Sequence, residues 1–142
     1  MANALFDKAR QRFLEGQFNW NTDTIKAVLV DTGTYTPNLS AHEFLSDIGT
    51  GARIATSGAF TGKSTAGGAA DANDITFTSV TGPSIEAIVI YKDTGTDSTS
   101  PLIAYIDTAT GLPITPTAAT SSSRGTTVLI KFFGYKSESI GL

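Results

Sequence analysis

Residues 58–64, GAFTGKS, approach the pattern of a phosphate-binding loop, so they are the first place to look for chemistry. Such a loop has four residues between its glycines, because that length lets successive backbone N–H groups surround a phosphate. Only three residues separate Gly58 from Gly62, and the residues that follow are poor helix formers. The sequence therefore predicts a flexible loop with a solvated Lys63 and no nucleotide site.

His42 is the single histidine, and with Glu43 it begins like the metal-binding pair of a zinc protease. That motif needs a second histidine four residues on, where this chain has Ser46. The chain has no cysteine, which excludes thiolate metal sites, disulfides and cysteine nucleophiles. We expect His42 to be a half-exposed residue on a short helix, without a role as general base or ligand.

Two acidic runs offer oxygen ligands for Ca²⁺, one at Asp71, Asn73 and Asp74, and one at Asp93 and Asp97. Neither run has the spacing of an EF-hand loop. Asp and Asn are common in turns, because their side chains bond the nearby backbone. No pair of carboxylates stands out as a glycosidase dyad. The residues therefore predict no catalytic, metal or cofactor site, and a protein that is not an enzyme.

The elements that position these side chains are mostly strands. Apolar and β-branched runs predict strands at residues 24–31, 53–57, 75–80, 85–92, 102–107 and 126–133. Small or polar residues predict a long surface loop with some extended structure at 58–74 and a hairpin-like loop at 93–100. Residues 40–48 predict a short helix with Ser40 as its cap. Regularly spaced strands of this kind indicate a mainly β fold, a β-sandwich or jelly roll.

The N-terminal segment 1–15 predicts a short amphipathic helix. Apolar residues recur at positions 2, 6, 9 and 13, and Leu5 and Leu14 widen the stripe. Asn3 can cap its start and Gly16 can end it. Two roles stay open, since the helix can seal one end of a sheet or act as an arm that docks on a neighbouring subunit.

Length and composition limit the number of domains and the class of protein. A chain of 142 residues fits one domain, which we divide into a helix or arm at 1–16, a single β-rich domain at 17–136 and a tail at 137–142. Only 16% of residues are charged and 40% are hydrophobic, which suggests that a partner covers part of the surface. The net charge of −3 and the lack of a basic stripe argue against direct nucleic-acid binding. No apolar run reaches the roughly 18 residues of a membrane span.

Longer strings resemble a family of small virion proteins of tailed double-stranded DNA bacteriophages, over about residues 2–116. The most specific are EAIVIYKDTG at 86–95 and LIAYIDTATGLPITP at 102–116, and ANALFDKARQRFLEG, DTIKAVLVDTGTYT, HEFLSDI and ARIATSGAFTGK also agree. The resemblance implies a capsid cement or decoration protein with a jelly-roll-like fold on the outside of an icosahedral head. It implies the major capsid protein as partner, and no active site or cofactor.

A homodimer is expected as well, because a symmetric clamp suits a two-fold axis of the capsid. The alternative within the same resemblance is a tail, neck or host-adhesion module. In that case the loops rich in serine and threonine would carry the ligand contacts.

Residues 117–133, TAATSSSRGTTVLIKFF, depart from the ending that the resemblance implies, a segment like NGGDIxxxWDNGTNKIF. With permitted codons, the same DNA read one base earlier from Thr117 gives NGGNIIIPWDNGTNKIFF. We therefore hypothesise a one-base shift of reading frame near Pro116.

Overall fold

The computed structural model of the chain describes residues 3–67, 69–109, 111–116 and 126–130, and these are mainly β with one α-helix. Strand β1 (Ala4–Leu5) is followed by helix α1 (Asp7–Leu14). The later strands are β2 (Ile25–Val30), β3 (Arg53–Thr56), β4 (Ser64–Ala66), β5 (Ala69–Asp71), β6 (Ile75–Val80), β7 (Ala87–Lys92), β8 (Leu102–Ile106) and β9 (Thr126–Ile130). No helix within these ranges has the length and apolar character needed to cross a membrane.

A five-stranded antiparallel sheet in the order β1-β8-β7-β2-β3 organises the fold. Strands β2 and β7 pair along their whole length, from Ile25 opposite Lys92 to Val30 opposite Ala87. Strands β4 and β5 form a separate two-stranded hairpin, and β6 pairs with β9. The predicted strands are thus confirmed, except that residues 131–133 of the last one, like the tail at 137–142, lie outside the described residues.

The three central strands are buried on both faces. Every residue of β8 is buried, as is every residue of β7 except Lys92 and of β2 except Lys26. An antiparallel sheet usually leaves one face to solvent and then alternates apolar with polar residues. Here the runs are almost continuously apolar, because other segments of the chain cover both faces. The prediction of a central, buried strand within 85–92 is confirmed, although Ile85 itself pairs with Ile114 outside β7.

The helix begins later than the sequence pattern predicts. Residues Ala4–Leu5 are extended and pair with β8, so α1 starts only at Asp7. Asn3 is not its cap. The Asn3 side-chain oxygen accepts hydrogen bonds from the N–H groups of Asp107 and Thr108, both at 2.9 Å. An Asn side chain offers the same donor and acceptor as a peptide group, so here it extends the strand pairing instead of capping a helix.

The other end of α1 agrees with the prediction, since Gly16 follows the helix with a φ of 72°, which favours glycine. Phe6 and Ala9 are fully buried, and α1 packs against β8. The Phe6 N–H donates to the Ile103 carbonyl at 3.0 Å, and the Asp7 N–H donates to Leu39 at 2.9 Å. The helix therefore seals one end of its own sheet.

The short helix predicted at 40–48 is wrong. The segment folds as turns and a 3₁₀ turn at Leu45–Asp47. The Asp47 carboxylate accepts the N–H groups of Glu43 and Phe44 at 2.7 and 2.9 Å. The Asn38 side chain, not Ser40, accepts the first free N–H groups of the turn. Short polar side chains compete with helical hydrogen bonds for the backbone, which explains the outcome.

Candidate interaction surface at the end of helix α1

The segment 58–64 has no phosphate-binding shape. Phe60 is buried, and its N–H donates to the Ile25 carbonyl at 2.8 Å, so the segment runs along the end of β2. The Lys63 ammonium donates to the backbone oxygen of Asp23. Lys63 is therefore held by its own chain, and the prediction of a freely solvated lysine is wrong.

His42 is part of a local hydrogen-bond network. Its Nδ1 lies 2.8 Å from the hydroxyl of Tyr35, and the Asn38 N–H donates to the same nitrogen at 3.3 Å. Because Nδ1 accepts from a backbone N–H, the neutral ring carries its proton on Nε2. Burial raises the pKa of Tyr35, and the nearby Asp47 carboxylate adds to this effect. His42 is half-buried as predicted, but it lies in a turn and not on a helix.

Of the two runs that the sequence offered for Ca²⁺, the first bonds nearby groups of the chain. The Asp71 carboxylate accepts from the Ala72 N–H at 2.8 Å. The Asn73 amide donates to the Thr61 hydroxyl at 3.1 Å.

The carboxylates of the second run bind cations of the chain itself. Asp93 pairs with Lys26 at 2.7 Å, and Asp97 pairs with Arg53 at 2.6 Å. The hydrogen bond from Lys26 lowers the pKa of Asp93, and the Gly95 N–H adds to this effect. Over the described ranges, no group of three or more His, Cys, Asp or Glu side chains is placed to hold a metal ion.

The end of α1 carries the two large apolar side chains that are exposed in the described part of the chain. Leu14 is 89% exposed and Phe13 is 39% exposed. The ring of Phe13 meets that of Phe18 edge-on, with centroids 4.9 Å apart. Leu14 was predicted to widen the buried stripe, and this is wrong. Successive residues turn by about 100° around a helix, so Leu14 points well away from the stripe of Phe6, Ala9 and Phe13.

The same helix lines a polar cleft of about 160 Å³, and Phe13 and Leu14 are not among the residues that form it. The lining residues are Lys8, Gln11, Arg12, Glu15, Gln17 and Glu43. Arg12 organises one wall: it binds Glu43, donates to Gln17 at 2.6 Å, and its guanidinium carbon lies 5.3 Å from the centre of the Phe44 ring. Gln11 and Gln17 each donate to Glu15 at 2.8 Å. Each of these bonds joins two side chains that line the cleft.

The net charge of α1 is opposite in sign to that of the rest of the chain. The helix holds one acid, Asp7, and three bases, Lys8, Arg10 and Arg12, which gives +2. The whole chain has a net charge of −3, so the remainder carries −5. Arg10 pairs with Asp7 and Arg12 pairs with Glu43, whereas no ion pair among the described residues involves Lys8. Lys8 lies in the first turn of α1, whereas Leu14 is the last residue of the helix and is followed directly by the acid Glu15. We call Phe13 and Leu14 the α1 end.

The residues of this surface could be identified from the sequence, but their placement could not. The sequence did contain a signal for the exposure of Leu14. The helix is short and is closed by Gly16, and a stripe at positions 6, 9 and 13 leaves position 14 on another face. A scan of the chain against protein-family models found no match, and neither did a search of curated proteins.

Proposed function

We propose that this chain is a non-enzymatic capsid cement or decoration protein of a tailed bacteriophage, placed on the outer surface of the head and bound to the major capsid protein. The observation that carries the proposal is the resemblance of residues 86–95 and 102–116 to that family. These strings form β7, β8 and their flanking segments, and so they belong to the centre of the sheet. The protein would stabilise the shell against the pressure of packaged DNA.

The fold supports a mechanical role. A clamp between capsomers has to transmit force without deforming, and close-packed interiors resist compression. Strands β2, β7 and β8 are buried on both faces, and β1 ties α1 to the same sheet. A force applied at the end of α1 would therefore be transmitted to the whole sheet.

We also propose that the fold is a jelly roll or β-sandwich. In a jelly roll or β-sandwich, the pair β6–β9 would belong to a second sheet facing the first, and β6 does contact β3. A homodimer on a capsid two-fold axis would double the grip of each unit. An experimental structure of the protein on heads would test both points together.

The test is binding to phage heads that have expanded and lack this protein. Purified protein is mixed with such heads and sedimented, and the heads are then heated until they rupture. We expect saturable binding and a higher rupture temperature than that of bare heads. Heads that already carry a full complement of the protein serve as the control and should bind no more. Absence of binding to the bare heads would reject the cement role.

A tail, neck or host-adhesion module is the second candidate. It is favoured by the exposed hydroxyl groups of loop 93–100, which lies at the end of the sheet between β7 and β8. The hydroxyls of Thr94 and Thr99 already bond each other at 2.6 Å, which leaves them less free for a glycan. Labelling of the protein at the tail together with binding to host glycans would favour this candidate over the cement role.

The proposed shift of reading frame near Pro116 has its own test. Residues 117–125 and 131–142 lie outside the described part of the chain, and β9 pairs with β6 in the sequence as given. Sequencing of the gene and an intact mass of the virion protein distinguish the two endings. A mass equal to that of this chain, with DNA that lacks the alternative frame, would reject the shift.

A further inference from the structure

We propose that two copies of this chain associate through the outward face of α1, with the two helices antiparallel about a two-fold axis that passes beside Gln11. In this arrangement Lys8 of each copy meets Glu15 of the other copy. The inference rests on the homodimer of the proposed function, and it adds the surface and the residues that form the contact.

The outward face of α1 carries an acid at one end and a base at the other. Lys8 lies in the first turn and Glu15 caps the helix, and both are exposed. The Glu15 N–H donates to the Gln11 carbonyl at 3.0 Å, so Glu15 continues the helical path. Seven residues bring an α-helix back to within about 20° of the same side and advance it by about 10 Å. The two charges therefore lie on one face, two turns apart.

Neither of these charges has a partner of opposite sign within the described part of the chain. No ion pair there involves Lys8 or Glu15. The Glu15 carboxylate accepts only the neutral amides of Gln11 and Gln17. Asp7 shares the first turn with Lys8, but it pairs with Arg10 and so does not cancel the charge of Lys8.

Two-fold symmetry makes this pattern complementary to itself. When two such helices lie antiparallel, the base of each faces the acid of the other, and the contact is made twice. A parallel arrangement would place Lys8 beside Lys8 and Glu15 beside Glu15. A second copy in the antiparallel direction thus supplies the charges that the outward face of α1 lacks.

The same arrangement covers Leu14, which is 89% exposed and directly precedes Glu15. A lysine that reaches Glu15 from the other copy has to run its methylene stem past Leu14. Lysine stems cover apolar surface in this way while the ammonium stays hydrated. One contact therefore accounts for the exposed leucine and for both charges.

The contact is small. Helix α1 has eight residues and a length of about 12 Å. Two such helices bury much less than the roughly 1,600 Å² of a standard interface. We therefore expect a weak dimer in solution, and stronger pairing where the shell holds two copies side by side and raises their effective concentration.

Disulfide trapping locates the surface, because the chain has no cysteine of its own. Gln11→Cys places one thiol beside the proposed axis, and Ser98→Cys places one on an exposed residue of a distant loop as the matched control. Under mild oxidation, Gln11→Cys should form disulfide-linked dimers about tenfold faster than Ser98→Cys, since a disulfide needs two Cα atoms within about 7 Å. Equal rates in the two variants would overturn the inference.

Charge reversal tests the contact itself by sedimentation equilibrium. Lys8→Glu and Glu15→Lys should each weaken dimerisation about tenfold, because each change removes two ion pairs across the axis and sets like charges together. The variant that carries both changes should regain wild-type dimerisation, which damage to the helix could not produce. Added salt should weaken the wild-type dimer, and Leu14→Ala should weaken it severalfold.

Binding to expanded heads separates this inference from the cement role. All the substituted side chains are exposed, so the variants should unfold at the urea concentration of the wild type. A wild type that binds heads but stays monomeric, or a double variant that does not regain dimerisation, would overturn the inference and leave the cement role intact. A dimer with the expected charge rescue that does not bind heads would support the inference and reject the cement role.

Discussion

The central strands and the α1 end differ in which side chains they bury and which they expose. Strands β2, β7 and β8 bury apolar side chains on both faces. Only Lys26 and Lys92, which lie at the same end of these strands, are half-buried. The α1 end exposes Leu14, and other residues of the same helix line a polar cleft. The central strands leave almost no exposed side chain for a partner, and the α1 end contributes little buried area to the fold.

This difference predicts where substitutions change stability. Those in the sheet should change the free energy of unfolding, while those at the α1 end should leave it unaltered. Arg12 lies between the two, because it fastens the helix to Glu43 and also lines the cleft.

The largest effect is expected from Leu29→Ala. Leu29 is fully buried in β2, and removal of a buried leucine side chain costs about 3 kcal/mol of stability. Urea denaturation followed by circular dichroism measures the change. The matched control is Leu14→Ala, which removes the same atoms from an exposed site and should cost less than about 0.5 kcal/mol. Equal losses in the two variants would show that α1 depends on Leu14 for packing.

Alkaline pH should destabilise the sheet through its tyrosines. Burial raises the pKa of Tyr91 and of Tyr105 to about 12, from an ordinary value of 10.0. The folded state therefore keeps these protons where the unfolded state loses them. The contribution is fully present below pH 10 and is lost as pH rises towards 12, by about 2 kcal/mol for each tyrosine.

The midpoint of urea unfolding measured from pH 9 to pH 12 tests this effect, with tyrosinate absorbance as the second readout. Tyr105→Phe should flatten the decline, because the ring then has no proton to lose. The α1 end contains no tyrosine, so Leu14→Ala should follow the wild-type curve. An unchanged slope in Tyr105→Phe would contradict the assignment.

The same contrast explains what the sequence could and could not predict. The central strands were predictable because runs such as AIVIYK and LIAYI have few alternatives to a buried strand. The helix start was not, because Asn3 bonds backbone groups far along the chain. The 40–48 segment was not, because the Asp47 carboxylate takes up the N–H groups of Glu43 and Phe44 in place of helical hydrogen bonds. The cleft depends on Glu43 meeting Arg12, a contact that no local pattern encodes.

Arg12→Ala should cost about 1 kcal/mol, because the change removes a partly buried ion pair and the packing of the side chain on Phe44. Arg10→Ala is the control on the same helix. Its pair with Asp7 is about half exposed, so the loss should stay under about 0.5 kcal/mol. Urea denaturation compares the two. Similar losses would mean that Arg12 does not fasten α1 to the rest of the fold.

The smallest effect concerns the ion pair of Lys26 with Asp93, at the end of the central strands. The hydrogen bond from Lys26 lowers the pKa of Asp93 below its ordinary 3.8. The folded state then stabilises the ionised form, so this contribution is present above pH 3.8 and is lost as pH falls through the lowered value. Asp93→Asn should be less stable than the wild type by under about 1 kcal/mol at pH 7, and the two proteins should converge in acid. Asp7→Asn, at the exposed pair on α1, should differ little from the wild type at either pH. If Asp93→Asn kept a constant deficit down to low pH, the loss would come from altered loop structure and not from the charge.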